Sequence, residues 1–277
     1  MYSFFCLGER VFSDSHCDIF MQYKSENEII NYLNGLENIK KLACVYFSHN
    51  NSASVDIIKD IQVKFAVTKN YEFTVNAIEN AWFVNYKNID KIVELRPEYV
   101  TLTHNDNNLL CGGCNGNDGL TEWGKEVVKI LQENNILIDT AHMSKQAFWD
   151  FVKINTKSIF NSHTGVKLWS NHKRNLDKEQ IKQIKNSGGY IGIALYNEFW
   201  GVQSLTAKDI ANGILDLIEE YGVNLFGLGT DFFGIENYPL DIKNYKDIVK
   251  LRIELDKLKL NQSIIQKFLC DNYLTFV

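Results

Sequence analysis

Apolar residues gather along the chain in short continuous runs, each followed by a polar turn and then by apolar residues spaced three and four apart. The runs are VFSDSHCDI, LACVYFSH, FTVNAIE, YVTLTH, ILIDTAH, SIFNSH, YIGIAL and LFGLGTD. Continuous runs, rather than strict alternation, suit strands covered on both faces, and hence a parallel sheet. The stretches between them read as amphipathic helices. In LTEWGKEVVKILQENN, Leu120, Trp123, Val127, Ile130 and Leu131 share one helical face, with Thr121 as the N-cap. Asp177 with Gln180, and Thr206 with Asp209, have capping-box spacing. Gly188–Gly189 and Gly222 stand where those helices should end. Phe148, Trp149 and Phe151 fall on a helix and read as core. The stretch from Ile57 to Tyr71 is ambiguous, because VKFAVT fits either an extra strand or the end of a helix.

Eight strands alternating with helices close in one of two ways, as a barrel or as an open doubly wound sheet. No glycine-rich dinucleotide or phosphate-loop fingerprint follows any strand, which favours the barrel. The 277 residues match the length of one (β/α)8 TIM-type barrel, which typically needs about 250. With two prolines and no glycine/serine-rich or single-charge tract, no linker stands out. The expectation is an α/β single domain over 1–277.

Composition narrows the partners. A net charge of −5, from 29 basic and 34 acidic side chains, leaves no basic footprint for nucleic acid or an anionic membrane. No apolar stretch is long enough for a membrane span. The opening MYSFFCLGERVFSDSHCD lacks the basic and apolar regions of a secretory signal, so none is expected. Cys6, Cys17, Cys44, Cys111, Cys114 and Cys270 are scattered, as free thiols in a reducing, cytoplasmic setting would be.

The histidines carry the chemistry. Four of the six, His16, His104, His142 and His163, sit at or near the C-terminal end of an apolar run, as do Asp18, Glu79 and Asp231. In a barrel those ends converge on one mouth, where active sites are built. Neutral imidazole and carboxylate are ligands of divalent ions such as Zn²⁺, Mn²⁺, Co²⁺ or Fe²⁺. Two residues apart on a strand, His16 and Asp18 should face the same way, with Cys17 turned from them. Glu79 could bridge two ions about 3.5–4 Å apart, with His142 and His163 completing the second. Such a pair acidifies a shared water to hydroxide and polarises a carbonyl.

Taken together, SDSHCDIF, NAIEN, YVTLTHNDN, GLTEWGKEVVKILQENNILIDTAHMS, IFNSHTGVKLWSNHKRNLDKEQIKQI, GLGTDFFG and IIQKFLCDNYLTFV resemble, in order, the membrane (renal) dipeptidase family. These are zinc peptidases of the amidohydrolase-like barrel group. The resemblance implies two divalent ions, most simply zinc, one held by His16, Asp18 and Glu79 and the other by Glu79, His142 and His163. It implies His104 as the group stabilising the oxyanion, Arg174 as the holder of the substrate carboxylate, and Asp231 as the proton shuttle. A dipeptide substrate and a homodimer follow by the same likeness. Each role suits a dipeptide, which offers a carboxylate, a carbonyl and an amine that must leave protonated.

The chain departs from the family pattern in four places. The segment after His16-Cys-Asp18 is short and lacks a proline-containing stretch. Phe233 replaces an aspartate, Lys173 a proline, and Cys270-Asp-Asn a glycine-rich turn. Cys111-Gly-Gly-Cys114 is expected in a solvent-exposed loop near the mouth, His49 on the surface or behind the ligands, and His172 in a turn beside Arg174; Tyr196 ends another strand. Two other functions compete. One is a different two-metal barrel hydrolase acting on a lactone, cyclic amide or phosphoester, for which Lys69 is the one candidate carboxylated bridge. The other is a non-catalytic metal-binding relative, because fold does not imply function.

Overall fold

All eight runs become strands, and the strands lie side by side in chain order. In the computed structural model, which describes residues 11–49 and 54–277, they are β1 Phe12–Cys17, β2 Ile39–Phe47, β3 Thr74–Glu79, β4 Tyr99–Thr101, β5 Leu137–Asp139, β6 Phe160–Thr164, β7 Tyr190–Ile193 and β8 Phe226–Leu228. Every neighbouring pair is parallel, and β8 returns to β1 through Asp14 and Leu228, closing the barrel. This is the (β/α)8 TIM-type fold. Cys6, the approach to β1 and the first ten residues of the stretch read for a secretory signal lie outside the described residues.

The helix signals act as their chemistry requires. Thr121 caps the helix Glu122–Glu133 by accepting from the Gly124 N–H, and both capping boxes form at Lys178–Asn186 and Ala207–Tyr221. Gly188 and Gly222 follow with positive φ of 69° and 91°, a turn that costs glycine no Cβ clash. The ambiguous stretch around VKFAVT resolves as part of the helix Ser54–Thr68. Phe148 and Phe151 are buried, with Trp149 packed against the same core. Among the described residues no helix is long and apolar enough to cross a membrane.

Inside the barrel the strands stack side chains in layers. Tyr99, Phe160 and Tyr190 make an aromatic floor at the N-terminal end, with Tyr273 and Phe276 of the last helix, Asn272–Phe276, plugged against them. Asn272 fixes that plug, its amide donating to Val223 O at 2.7 Å and Phe226 O at 2.8 Å. The Cys270-Asp-Asn segment is thus continuous helix where the family pattern suggests a turn. Two positions further along β4 and β6, on the same face, Thr101 and Ser162 begin a polar layer above the floor.

Candidate metal centre

Irregular backbone aims the candidate ligands at the mouth. The pairing register shifts between Asp14 and Cys17 on β1, and between Asn161 and Thr164 on β6. Such bulges suspend strict alternation, so adjacent residues Ser15 and His16, and Ser162 and His163, all turn inward. Asn80, His142, Asp231 and Phe233, just past their strands, have positive φ of 65°, 63°, 61° and 71°. Non-glycine residues held in this left-handed region carry strain that persists only where the surroundings enforce it.

The five expected metal ligands come together. His16 Nε2 lies 3.3 Å from Asp18 Oδ2 and 3.7 Å from Glu79 Oε2. The other Glu79 oxygen lies 3.0 Å from His142 Nε2 and 3.7 Å from His163 Nε2. One expectation changes in detail: β1 ends at Cys17, and Asp18 begins the short helix Ile19–Gln22 rather than sharing a strand face with His16. Cys17 is buried in the outer core beside Cys44, its partner on β2, and takes no part in the cluster.

These donors fit a cation. Asn105 Oδ1 accepts from His142 Nδ1 at 3.0 Å, leaving a bare lone pair on His142 Nε2. That atom stands 2.9 Å from His163 Nε2 as well as 3.0 Å from the Glu79 oxygen. His16 Nε2, Asp18 Oδ1 and Glu79 Oε1 are buried without a well-aligned hydrogen bond. Acceptors converging without hydrogens repel one another unless a positive ion lies among them. Among the described residues, three overlapping groups have ligand atoms close enough to share an ion: His16, Glu79 and His163; Glu79, His104 and His142; and His16, Asp18 and Asp231.

Electrostatics agree. Burial opposes protonation of His16, yet Asp18 and Glu79 lift its pKa well above that of ordinary imidazole. Burial would raise Glu79, but His16 and His142 hold it well below the usual carboxylate range. Burial pushes His142 and His163 down, helped by Arg174 and, for His163, also by His16. Burial raises Asp231 well above an ordinary carboxyl, with Asp18 and Glu79 adding to the effect. The cluster is a nest of negative charge that draws in a proton where a cation would sit.

The remaining expected site residues line the same mouth. The His104 ring lies 4.2 Å from that of His142, and burial lowers its pKa, favouring the neutral form. Arg174 is buried, donates to His163 O at 3.2 Å, lies 5.6 Å over the Phe199 ring, and keeps its Nε–H unpartnered. Asp231 lies 3.9 Å from His16 through Oδ1. Gly234 lets the backbone pass close to both acids: a Cβ there would come within 2.2 Å of Asp18 Oδ2 and 2.5 Å of Asp231 Oδ1 and would displace their carboxylates. The substituted Phe233 packs edge-on against Tyr23 and Tyr32, giving the mouth an apolar wall on that side.

Other expectations separate. The Cys111–Cys114 loop is not solvent-exposed as expected: Cys111 is fully buried, and Cys114 N donates to His142 O at 2.9 Å. The loop is held down by backbone bridges from Cys111 to Leu120 and from Gly113 to Met143. Cys17, Cys44, Cys111, Cys114 and Cys270 are free thiols. His49 is exposed beside Phe47, and His172 accepts from the Arg174 N–H. Tyr196 sits edge-on to Phe199. Lys69 lies just after the helix Ser54–Thr68 that leads into β3, exposed and at the barrel end opposite the mouth, which removes it as a metal bridge. Sequence reasoning passed over Asn105, Asp139, Ser162 and Tyr99, which stand behind the ligands. An acid inside the apolar run ILIDTAH was the one visible signal.

Comparison with known proteins gives the same picture. Over 168 residues, 56% of this chain and 40% of the relative, the sequence is 27% identical to an uncharacterized dipeptidase of Schizosaccharomyces pombe. Over 161 residues, 56% of this chain and 59% of the relative, it is 27% identical to an uncharacterized protein of Klebsiella pneumoniae from the pqqA 5′ region. The chain thus matches about half the length of these curated relatives. A metallopeptidase from Rhodobacter sphaeroides, crystallised with a phosphinate mimic of the dipeptide L-Ala-D-Ala, shares the fold with a TM-score of 0.82. That likeness covers 97% of this chain and 99% of the other at 12% identity. Residues 16–276, from His16 to the C-terminal plug, match the membrane dipeptidase family, and the chain belongs to that family, peptidase family M19.

Proposed function

We propose that the chain is a metal-dependent dipeptidase acting at the barrel mouth with two divalent ions, zinc being the natural choice for this donor set. The observation that carries this is the meeting of His142 Nε2, His163 Nε2 and Glu79 Oε1, three acceptors with no hydrogen among them. His16, Asp18 and Glu79 would hold one ion, and Glu79, His142 and His163 the other. Bound there, such ions supply Lewis acidity and an acidified water.

The protein's own residues do the rest. The Arg174 guanidinium, dry and with a free N–H, receives the substrate's carboxylate and sets the register of the peptide bond. Neutral His104 donates a hydrogen bond where negative charge develops on the carbonyl oxygen. Asp231, as a carboxylate whose buried surroundings raise its affinity for a proton, takes one from the attacking water and then passes it to the departing amine. The dipeptide mimic in the Rhodobacter relative supports this substrate size.

The test is a panel of dipeptides offered to the zinc-loaded protein, with and without chelator. Hydrolysis abolished by chelator and restored by zinc is expected. Two bound equivalents of metal with no cleavage of any dipeptide would exclude this function.

A further inference from the structure

Beneath the metal-facing atoms lies a layer of buried polar groups whose hydrogens can point only one way. Asp139, fully buried at the end of β5, receives four hydrogen bonds. They come from Thr101 Oγ1 at 2.7 Å, Ser162 Oγ at 2.6 Å, Ser162 N at 2.9 Å and Ala141 N at 3.0 Å. The single proton of the Ser162 hydroxyl is therefore committed to Asp139, and its oxygen can only accept from its other neighbours. Those neighbours are His163 Nδ1 at 2.8 Å and His16 Nδ1 at 3.2 Å. His16 Nδ1 also meets the Tyr99 hydroxyl at 3.0 Å, whose own proton goes to Ser15 O at 2.9 Å. In their neutral, cation-binding form both rings then carry their hydrogen on Nδ1 and present Nε2 to the carboxylates.

We propose that Ser162, oriented by Asp139, is the positioning residue that sets the tautomer of His163 and, together with the Tyr99 hydroxyl, that of His16, and so helps prepare both metal positions. The proposal rests on the two-ion site above. His142, by contrast, is oriented separately through Asn105. The β6 bulge makes the double contact possible, because it turns Ser162 and His163 inward together. Partners behind metal-bound histidines typically contribute about 10–100-fold in metal affinity. A serine shared by two histidines should spread that effect over both ions.

The experiment titrates zinc alone into the full-length protein in competition with a chelating dye. Wild type is expected to bind two equivalents, and Ser162→Ala to bind the ion on the His163 side about 10–100-fold more weakly, with a smaller loss on the His16 side, where Tyr99 still accepts the Nδ1 hydrogen. Asp139→Asn keeps the shape but reverses a hydrogen. Its amide nitrogen would donate to Ser162, whose proton would then turn to a histidine Nδ1 and drive that ring toward the Nε2–H form. Its loss should match that of Ser162→Ala, and the double variant should be no weaker than the weaker single, because both act through one hydroxyl. Nitrogen NMR of the zinc-loaded wild type should show His16 and His163 protonated on Nδ1. Zinc bound at both positions as tightly in Ser162→Ala as in wild type overturns the proposal while leaving the two-ion site intact, and so do additive losses in the double variant. A wild type that binds no zinc overturns both.

Discussion

Glu79 Oε1 faces His142 Nε2 at 3.0 Å with no hydrogen between them, because the His142 ring spends its Nδ1–H on Asn105. An acceptor pair held this close in a buried site is destabilising by itself, and a cation reverses the sign. The folded chain should therefore be more stable with metal than without. At a free zinc concentration about 100 times the Kd, each site adds about 2.7 kcal/mol. Scanning calorimetry should show a higher Tm with zinc and a lower one with chelator; an unchanged Tm would count against the site.

Asp231 is buried, held at positive φ, and flanked by Asp18 and Glu79. Replacing its exchangeable carboxyl with an amide removes the proton shuttle and little else. Asp231→Asn should keep its bound metal yet lose about 10²–10⁴-fold in kcat. Elemental analysis alongside steady-state kinetics separates the two effects, and full turnover would remove the assigned role.

Arg174 should matter only to substrates with a free carboxylate. A hydrogen bond to a charged group contributes about 1.5–3 kcal/mol, so Arg174→Ala should lower kcat/KM for dipeptides by about 10–100-fold, mainly through KM. Peptides amidated at the C-terminus should be poor substrates for wild type and little changed in the variant. Equal losses for both substrate types would mean that the arginine acts some other way.

On the rim of the mouth, three residues beyond Arg174, Asp177 caps the helix Lys178–Asn186 and pairs with Lys145 at 2.6 Å. Burial opposes its charge, but the Lys145 contact and the Gln180 N–H outweigh burial and hold the carboxyl below its usual value. Between the folded and unfolded pKa values the unfolded chain binds more protons. The stabilisation is thus present above the unfolded value of about 3.9 and is lost as pH falls through the lower folded one. Melting curves of Asp177→Asn should show a shallower acid decline than wild type; parallel curves would refute the assignment.

Tyr273 plugs the barrel floor with its hydroxyl buried and unpartnered. An unsatisfied buried hydroxyl costs about 1–3 kcal/mol, so Tyr273→Phe should be neutral or stabilising. Tyr273→Ala, which empties the floor, should cost about 3–5 kcal/mol. Denaturant unfolding of the two variants gives the comparison, and a destabilised phenylalanine variant would mean that the hydroxyl is bonded after all.

Much of this molecule is local and was therefore legible in the chain. Continuous apolar runs from VFSDSHCDI to LFGLGTD specify buried parallel strands; Thr121, Asp177 and Thr206 specify helix starts. A strand's end is fixed by its own sequence, so His16, Glu79, His142 and His163 could be assigned to the mouth once the barrel was inferred. VKFAVT was not decidable, because six apolar-rich residues satisfy either period and only packing between neighbouring helices selects one. Nor could the sequence place Asp18 just beyond its strand, bury the Cys111–Cys114 loop, or bring Tyr273 beneath Phe160. The least visible layer is the one behind the ligands. Asp139, Ser162, Tyr99 and His16 lie on four different strands, and their contacts exist only because closure, register and two bulges bring them together. Residue types along the chain marked the candidate metal-binding groups; the closed barrel decided which buried polar groups stand behind each of them.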